Sequence, residues 1–309
     1  MNKVCVVGSL NMDTVLKVQN IVKVGQTITS NSMEKFPGGK GANQAVAARR
    51  LGAEVYMIGK VGLDGDGDFL VKQLEKDDIN TQFVLRDKKI PTGSAIIMVE
   101  DSGDNSIVIV PGTNMQITKE EIKNTKEVIK NCDMVITQFE TPYEIALESF
   151  KLAKEFGKIT ILNPAPAKSI DDELLKYTDI IIPNETEAET LTGIKVTDLE
   201  SAKEVARKFR EKGVKWVIIT LGSKGATLIS ENDIEIIPAY KVDAVDTTAA
   251  GDSFIGGLSS KLDTNNLNKE SLIKAIRFGN KVSSIAVCKE GAQVSIPYLE
   301  EVIRLRGKE

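Results

Sequence analysis

The segment Val245-Asp246-Thr247-Thr248-Ala249-Ala250-Gly251-Asp252-Ser253-Phe254 has the spacing most suggestive of chemistry in the chain. Two hydroxyls precede three residues with almost no side-chain bulk. Phe254, Leu258 and Leu262 then recur every four residues. That pattern predicts a helix over 250–262, with Thr247 or Thr248 as its N-cap. The first amides of a helix lack carbonyl partners, so Ala249, Ala250 and Gly251 offer bare N–H groups to an anion such as a phosphoryl group in transfer. Asp252 falls in the first turn. There the helix dipole favours the ionised carboxylate, which can accept a proton from an attacking hydroxyl. The plain structural alternative is a capped helix with an acidic first turn.

Four further segments carry polar groups in suggestive places. Pro37-Gly38-Gly39-Lys40-Gly41-Ala42-Asn43-Gln44 sets three glycines around a lysine before an Ala-rich helical pattern. Small residues admit a polar ligand to the backbone, and Lys40 and Asn43 supply donors. This is not a phosphate-binding P-loop, because Gly41 follows the lysine and Glu34 stands where the first glycine belongs. The alternative is a tight turn with close helix packing. Gly8-Ser9-Leu10-Asn11-Met12-Asp13 leaves the first strand, and Asn11 and Asp13, two apart, can face the same way with groups suited to hydroxyls. An Asx-turn is equally compatible. Thr220-Leu221-Gly222-Ser223-Lys224-Gly225 follows a strand, as a nucleotide-side loop or a hairpin turn does. Asn184-Glu185-Thr186-Glu187 also follows a strand, and Asn184 and Glu187 could flank a hydrated Mg²⁺ or simply cap a helix. Asp64, Asp66, Asp68 and Glu75 mimic a calcium loop. Phe69 in place of its glycine, in an already helical pattern, excludes that reading.

The count of residue types narrows the chemistry. Histidine is absent, which removes Ser-His-Asp, Cys-His and His-zinc sites and leaves proton transfer to a carboxylate, Lys, Tyr or Cys. A formal charge of −4 over 309 residues gives no footprint for nucleic acid or anionic membrane. No apolar run approaches the ~20 residues of a membrane span, and the N-terminus does not read as a signal peptide. Cys5, Cys132 and Cys288 read as reduced core thiols of a cytoplasmic protein.

The elements that must position these residues alternate. Lys3–Val7, Glu54–Ile58, Met134–Thr137, Ile159–Leu162, Ile180–Ile182 and Trp216–Thr220 read as buried strands. Amphipathic stretches at 40–51, 66–76, 119–130, 142–156, 198–211, 250–262 and 268–287 read as helices, and Tyr298–Leu305 as a short closing helix. Such alternation predicts a mostly parallel sheet with helices on both faces, a three-layer α/β/α sandwich. Residues 14–37, with strand-like Thr14–Val18 and Thr27–Glu34, and 93–110, a hairpin, interrupt it. They predict a small discontinuous β-sheet lid over a cleft, or else edge hairpins on the main sheet.

In order and spacing, GGKGANQAVAA near residue 40 and DTTAAGDSF near 250 resemble the two signatures of the ribokinase family of carbohydrate kinases. The likeness runs from GSLNMD to GAQVSIP, as one domain over 1–309. It implies a ribokinase-like sandwich with a β-lid that forms a homodimer interface. It also implies an ATP-dependent transfer to the 5-hydroxyl of D-ribose, with Mg²⁺ and activation by K⁺. By position, Asp252 is the implied base and the Ala249, Ala250 and Gly251 amides the anion hole. Asn11, Asp13, Gly39, Lys40, Gly41, Asn43 and Glu140 hold the sugar. Asn184, Glu187, Thr220 to Gly225, Gly251 and Asn280 line the nucleotide site. Asp246, Thr248, Ala286, Lys289, Gly291 and Ser295 match a potassium site, several through backbone carbonyls. Related acceptors (deoxyribose, fructose, adenosine) and a silent sugar-binding regulator remain open, whereas no GxGxxG follows a strand to support a Rossmann oxidoreductase.

Overall fold

The computed structural model describes residues 1–231 and 233–304. Its strands are β1 (Lys3–Val7), β2 (Asn11–Val18), β3 (Ser32–Gly38), β4 (Glu54–Gly62), β5 (Asn80–Asp87), β6 (Gly93–Glu100), β7 (Asn105–Val110), β8 (Met134–Thr137), β9 (Ile159–Leu162), β10 (Ile180–Ile181), β11 (Trp216–Thr220), β12 (Ala226–Ile229) and β13 (Ile234–Ile237). One sheet has the order β13-β12-β11-β10-β9-β8-β1-β4-β5, parallel from β11 to β5 and closed by the antiparallel β12 and β13.

Strand β1 explains the layering. Side chains alternate along a strand. Val4 and Val6 join a core with Ala45, Val46, Phe254 and Ile276 from the helices Lys40–Arg50, Ala250–Lys261 and Lys269–Ala286. Cys5 and Val7 join another with Ile129, Phe150 and Val205 from the opposite helices. A strand apolar on both sides belongs between two helical layers, as the unbroken Val-Cys-Val-Val run foretells.

The two helices that open at the glycine-lysine and Ala-Ala-Gly motifs pack directly together. A Cβ at Gly256 would lie 2.7 Å from the Ala48 amide nitrogen. That close approach brings residues more than two hundred positions apart into one site.

A second sheet, β3-β2-β6-β7, stands apart from the first. In it β2 pairs antiparallel to β3 and parallel to β6, and β6 pairs antiparallel to β7. Its faces are poorly covered: Ile107, Val108 and Ile109 of β7 are each at least half exposed.

Several boundaries differ from the sequence reading. Strand β3 begins at Ser32 and runs through Pro37 to Gly38, because pairing of Gly38 with Asn11 and Ser32 with Lys17 outweighs local propensity. Residues 119–130 form two helices, Lys119–Lys123 and Lys126–Asn131, broken where the Thr125 hydroxyl bonds the Ile122 carbonyl. The last helix is Leu299–Arg304, and Leu305 lies outside the described residues. Cys5 and Cys132 are buried, but Cys288 is exposed, one residue beyond the C-cap of its helix, so it is not a core thiol.

Candidate active site

The helix Ala250–Lys261 is not opened by a threonine cap. Its N-cap is Ala249, at φ 59° and ψ 13°, with no side-chain hydrogen bond to the helix. An alanine in the left-handed region is strained, and such strain concentrates at functional sites. Thr248 is turned back instead, its amide and hydroxyl donating to Asp246 Oδ1 at 2.8 and 2.6 Å. Asp246 Oδ2 accepts the Gly291 amide at 2.8 Å. Burial pushes the Asp246 carboxyl up, but these hydrogen bonds outweigh it and hold it below the ordinary range. The amides of Val245 and Asp246 both donate to the Val287 carbonyl. The 245–248 loop is thus stitched to the 286–291 turn. The Ala250 amide is not free as expected but donates to the Thr247 carbonyl at 3.1 Å, closing the turn that leads into the helix, which leaves the Ala249 and Gly251 amides open.

Asp252 is 7% exposed in the first turn. Asn43 Nδ2 donates to its Oδ2 at 3.0 Å, and Gln44 Nε2 to its Oδ1 at 2.9 Å. Burial raises its pKa despite the facing ammonium of Lys40 and these two donors, while Glu140 adds to the rise. For Lys40, burial works against the charge, but Asp252, Glu140 and Glu187 outweigh it and raise its pKa. Glu187 is raised by burial, partly offset by the Asn184 amide and by Lys40.

The other side of Lys40 belongs to residues at the root of the small sheet. Asn11 and Asp13, alternate residues of β2, share a face. Burial and then the charge of Glu140 push Asp13 up to about 7. Glu140 Oε2 accepts the Ser9 hydroxyl at 2.5 Å and the Lys40 amide at 3.0 Å. Glycine is required here: Gly39 sits at φ 89°, and a Cβ on Gly41 would lie 2.5 Å from the Ser9 nitrogen. Asn11 Oδ1 accepts from Asn114 Nδ2 at 2.7 Å, which leaves the Asn11 –NH₂ free to donate.

A cleft of about 180 Å³ lies over the helix N-terminus, lined by Lys40, Asn163, Asn184, Glu187, Thr220, Thr247, Asp252 and the backbone of 249–251. Asn184 and Glu187 form a capping box, bonded to each other's amides at 2.7 and 2.9 Å. Thr220 to Gly225 is the turn between antiparallel β11 and β12, so the hairpin and nucleotide-side readings describe one loop. Only Thr220 of that loop reaches the cleft. Asn280 lies outside it, its Nδ2 donating to the Ile237 and Pro238 carbonyls at 2.9 and 3.1 Å. Lys289 Nζ pairs with Glu301, and the Ser295 hydroxyl with the Ala292 carbonyl.

Four residues escape the sequence reading. Gln44, Gln138 and Asn163 extend the hydrogen-bond network of Asp252, and Asn114 orients Asn11. Gln44 had a signal: it lies one helical turn from Lys40 and next to Asn43. The others lie on separate elements with no local pattern.

Comparison with known proteins agrees with this construction. The pattern described as pfkB family carbohydrate kinase matches residues 1–299. A protein named ribokinase from Staphylococcus aureus is 46% identical over 302 residues, covering 97% of this chain and 98% of the relative. A deoxyribokinase from Salmonella typhi is 34% identical, covering 96% of both. The Arabidopsis thaliana ribokinase structure complexed with ribose and ATP superposes with a TM-score of 0.91 at 30% identity, covering 100% of this chain and 99% of that one. A parallel α/β/α sandwich, a small accessory sheet and a carboxylate beside bare helix amides mark a sugar-kinase architecture. The chain belongs to the pfkB family of carbohydrate kinases.

Proposed function

We propose that this chain transfers the γ-phosphoryl group of ATP to the 5-hydroxyl of D-ribose, with Asp252 as general base. One observation carries the reading: a buried carboxylate, oriented by Asn43 and Gln44, follows directly on the open amide of Gly251 and faces Lys40. The relatives named ribokinase, and the relative complexed with ribose and ATP, support the choice of substrates.

In this mechanism Asn11, Asp13, Glu140 and the Gly39–Asn43 turn grip the ring hydroxyls. The unpartnered, buried Asn43 Oδ1 is an acceptor left for one of them. Asp252 orients the 5-hydroxyl and takes its proton. Phosphoryl transfer passes through a loose transition state, so positioning and charge stabilisation outweigh proton removal. The amides of Ala249 and Gly251, the helix dipole and Lys40 stabilise the oxygens of the group in transfer. Asn184, Glu187 and the Thr220–Gly225 turn receive the nucleotide, with Asn280 near the base. Mg²⁺ arriving with the nucleotide would supply further charge neutralisation, and Glu187 of the cleft would hold its hydration shell.

The oxygen-rich 246–248 and 286–295 segments suit an alkali cation. Asp246 and Thr248, with Ala286, Lys289, Gly291 and Ser295, would hold K⁺, which supplies charge balance behind the anion hole. The small sheet serves as a lid that excludes water. The exposed apolar edge of Ile107, Val108 and Ile109 fits a second copy of the chain as partner. The free, buried thiols of Cys5 and Cys132 fit a reducing compartment such as the cytoplasm.

ADP release, measured over D-ribose, 2-deoxyribose, fructose and adenosine with Na⁺ or K⁺, tests the proposal. Ribose-dependent turnover raised by K⁺ is expected. Turnover with another acceptor alone overturns the substrate, and ribose binding without turnover overturns the enzyme reading. The deoxyribokinase relative makes 2-deoxyribose the sharpest competitor.

A further inference from the structure

Gln44 is fully buried and makes no contact with solvent, yet its side chain is polar at both ends. Its Nε2 donates to Asp252 Oδ1 at 2.9 Å and to Asn163 Oδ1 at 3.0 Å. Its Oε1 accepts from Gln138 Nε2 at 2.7 Å. Asn163 is itself oriented, because its Nδ2 donates to the Ile182 carbonyl at 3.2 Å. Only an –NH₂ group can face two oxygens at once, so the Gln44 amide has one permitted orientation. Both of its N–H bonds are spent.

The arrangement costs something elsewhere. Gln138 Oε1 is buried without a partner, and an unsatisfied buried acceptor is destabilising. A core built for stability alone would fill this space with apolar side chains. Here two amides, Gln138 from the segment after β8 and Asn163 from the segment after β9, hold a third, Gln44 of the helix Lys40–Arg50, against one carboxylate oxygen.

We propose that Gln44, held by Gln138 and Asn163, is a positioning residue for phosphoryl transfer that fixes the Asp252 carboxylate. With Asn43 on Oδ2 and Gln44 on Oδ1, neither oxygen can rotate away, and the remaining lone pairs stay toward the cleft. This rests on Asp252 being the base. The charged groups that face Asp252 are Lys40 from the same helix as Gln44, Glu140 after β8 and Glu187 from the capping-box helix. Gln44 substitution leaves all three in place.

The test is the single-turnover rate of phosphoryl transfer against pH, with ATP and saturating D-ribose, for Gln44→Met and Gln138→Leu. Gln44→Met keeps the volume and removes both donors. Its rate is expected to fall about tenfold, the scale of one lost hydrogen bond to a charged group. The acidic limb of the profile should move up by about one pH unit, because an ionised base that loses a donor protonates more readily. The KM for ribose should stay within about twofold, since the substitution leaves ground-state sugar contacts alone. Gln138→Leu keeps the Gln44 donors but frees their orientation, so a smaller shift of the same sign is expected. That variant decides the matter if Gln44→Met does not fold. An acidic limb that stays put in the folded variants overturns the proposal, whatever happens to thermal stability. Asp252→Asn, run alongside, separates the two claims. Near-normal turnover there removes the base assignment, whereas an inactive Asp252→Asn with unmoved Gln44 and Gln138 profiles removes the positioning role alone.

Discussion

The two walls of the cleft are assembled in opposite ways. On the acceptor wall Asn43, Gln44 and Asp252 are at most 7% exposed, and both amides donate to the Asp252 carboxylate. On the proposed nucleotide side the Asn184 side chain is exposed and bonded within its own helix turn, and beyond the cleft Lys224 projects from a hairpin with its side chain 73% exposed. The acceptor wall fixes geometry before any ligand arrives. The nucleotide wall offers backbone and a few exposed side chains to a large substrate. A reaction limited by in-line positioning needs rigidity where the hydroxyl is aimed and tolerates adaptability where the rest of the nucleotide is held.

The contrast is broken most severely at Asp252. Asp252→Asn keeps the shape but removes the base and turns an –NH₂ toward one of the two donors, and kcat is expected to fall by ~10²–10⁴. Thermal unfolding should show only a small change, because relief of the buried charge offsets the lost acceptor. Next is Gly251→Ala. A Cβ there meets nothing within 4 Å, so folding should be unaffected. The methyl group nevertheless stands at the proposed anion hole, and a roughly tenfold loss in kcat is expected, below the cost of deleting a hole donor outright.

Asp13 gives a smaller effect that appears in stability against pH. Its carboxyl is raised to about 7 in the fold from an ordinary value of 3.8. A raised carboxylate means the unfolded chain ionises first, so stability falls as pH rises from about 4 to 7. Asp13→Asn removes that loss. The sugar-free variant should therefore melt higher than the wild type at pH 8 and no higher at pH 4. The smallest effect belongs to the open wall. Lys224→Ala should change the KM for ATP by less than about threefold, as expected for an exposed charge. A loss as large as that at Gly251 would erase the contrast.

The sequence made the helix at 250 legible because a small-residue run and a four-residue apolar repeat are local signals. The placement of Asp252 beside bare amides followed from them. The cap did not follow: Ala249 enters the left-handed region because Thr248 and Asp246 are tied to Gly291, forty-five positions away. The hydrogen-bond network was hidden for the same reason, with partners of Gln44 lying 94, 119 and 208 positions distant. Strand β3 was displaced in the reading because Pro37 and Gly38 are poor strand formers, held extended by β2. The alternating strands were readable throughout, since a buried parallel strand needs apolar residues on both faces and shows it in sequence.

The most direct measurement is the identity of the product. Purified protein with ATP, Mg²⁺ and D-ribose should yield, by ³¹P and ¹³C NMR, ADP and one new phosphate monoester coupled to C5 of the sugar. Phosphate on another carbon, inorganic phosphate in place of an ester, or no ribose-dependent consumption of ATP would contradict the account.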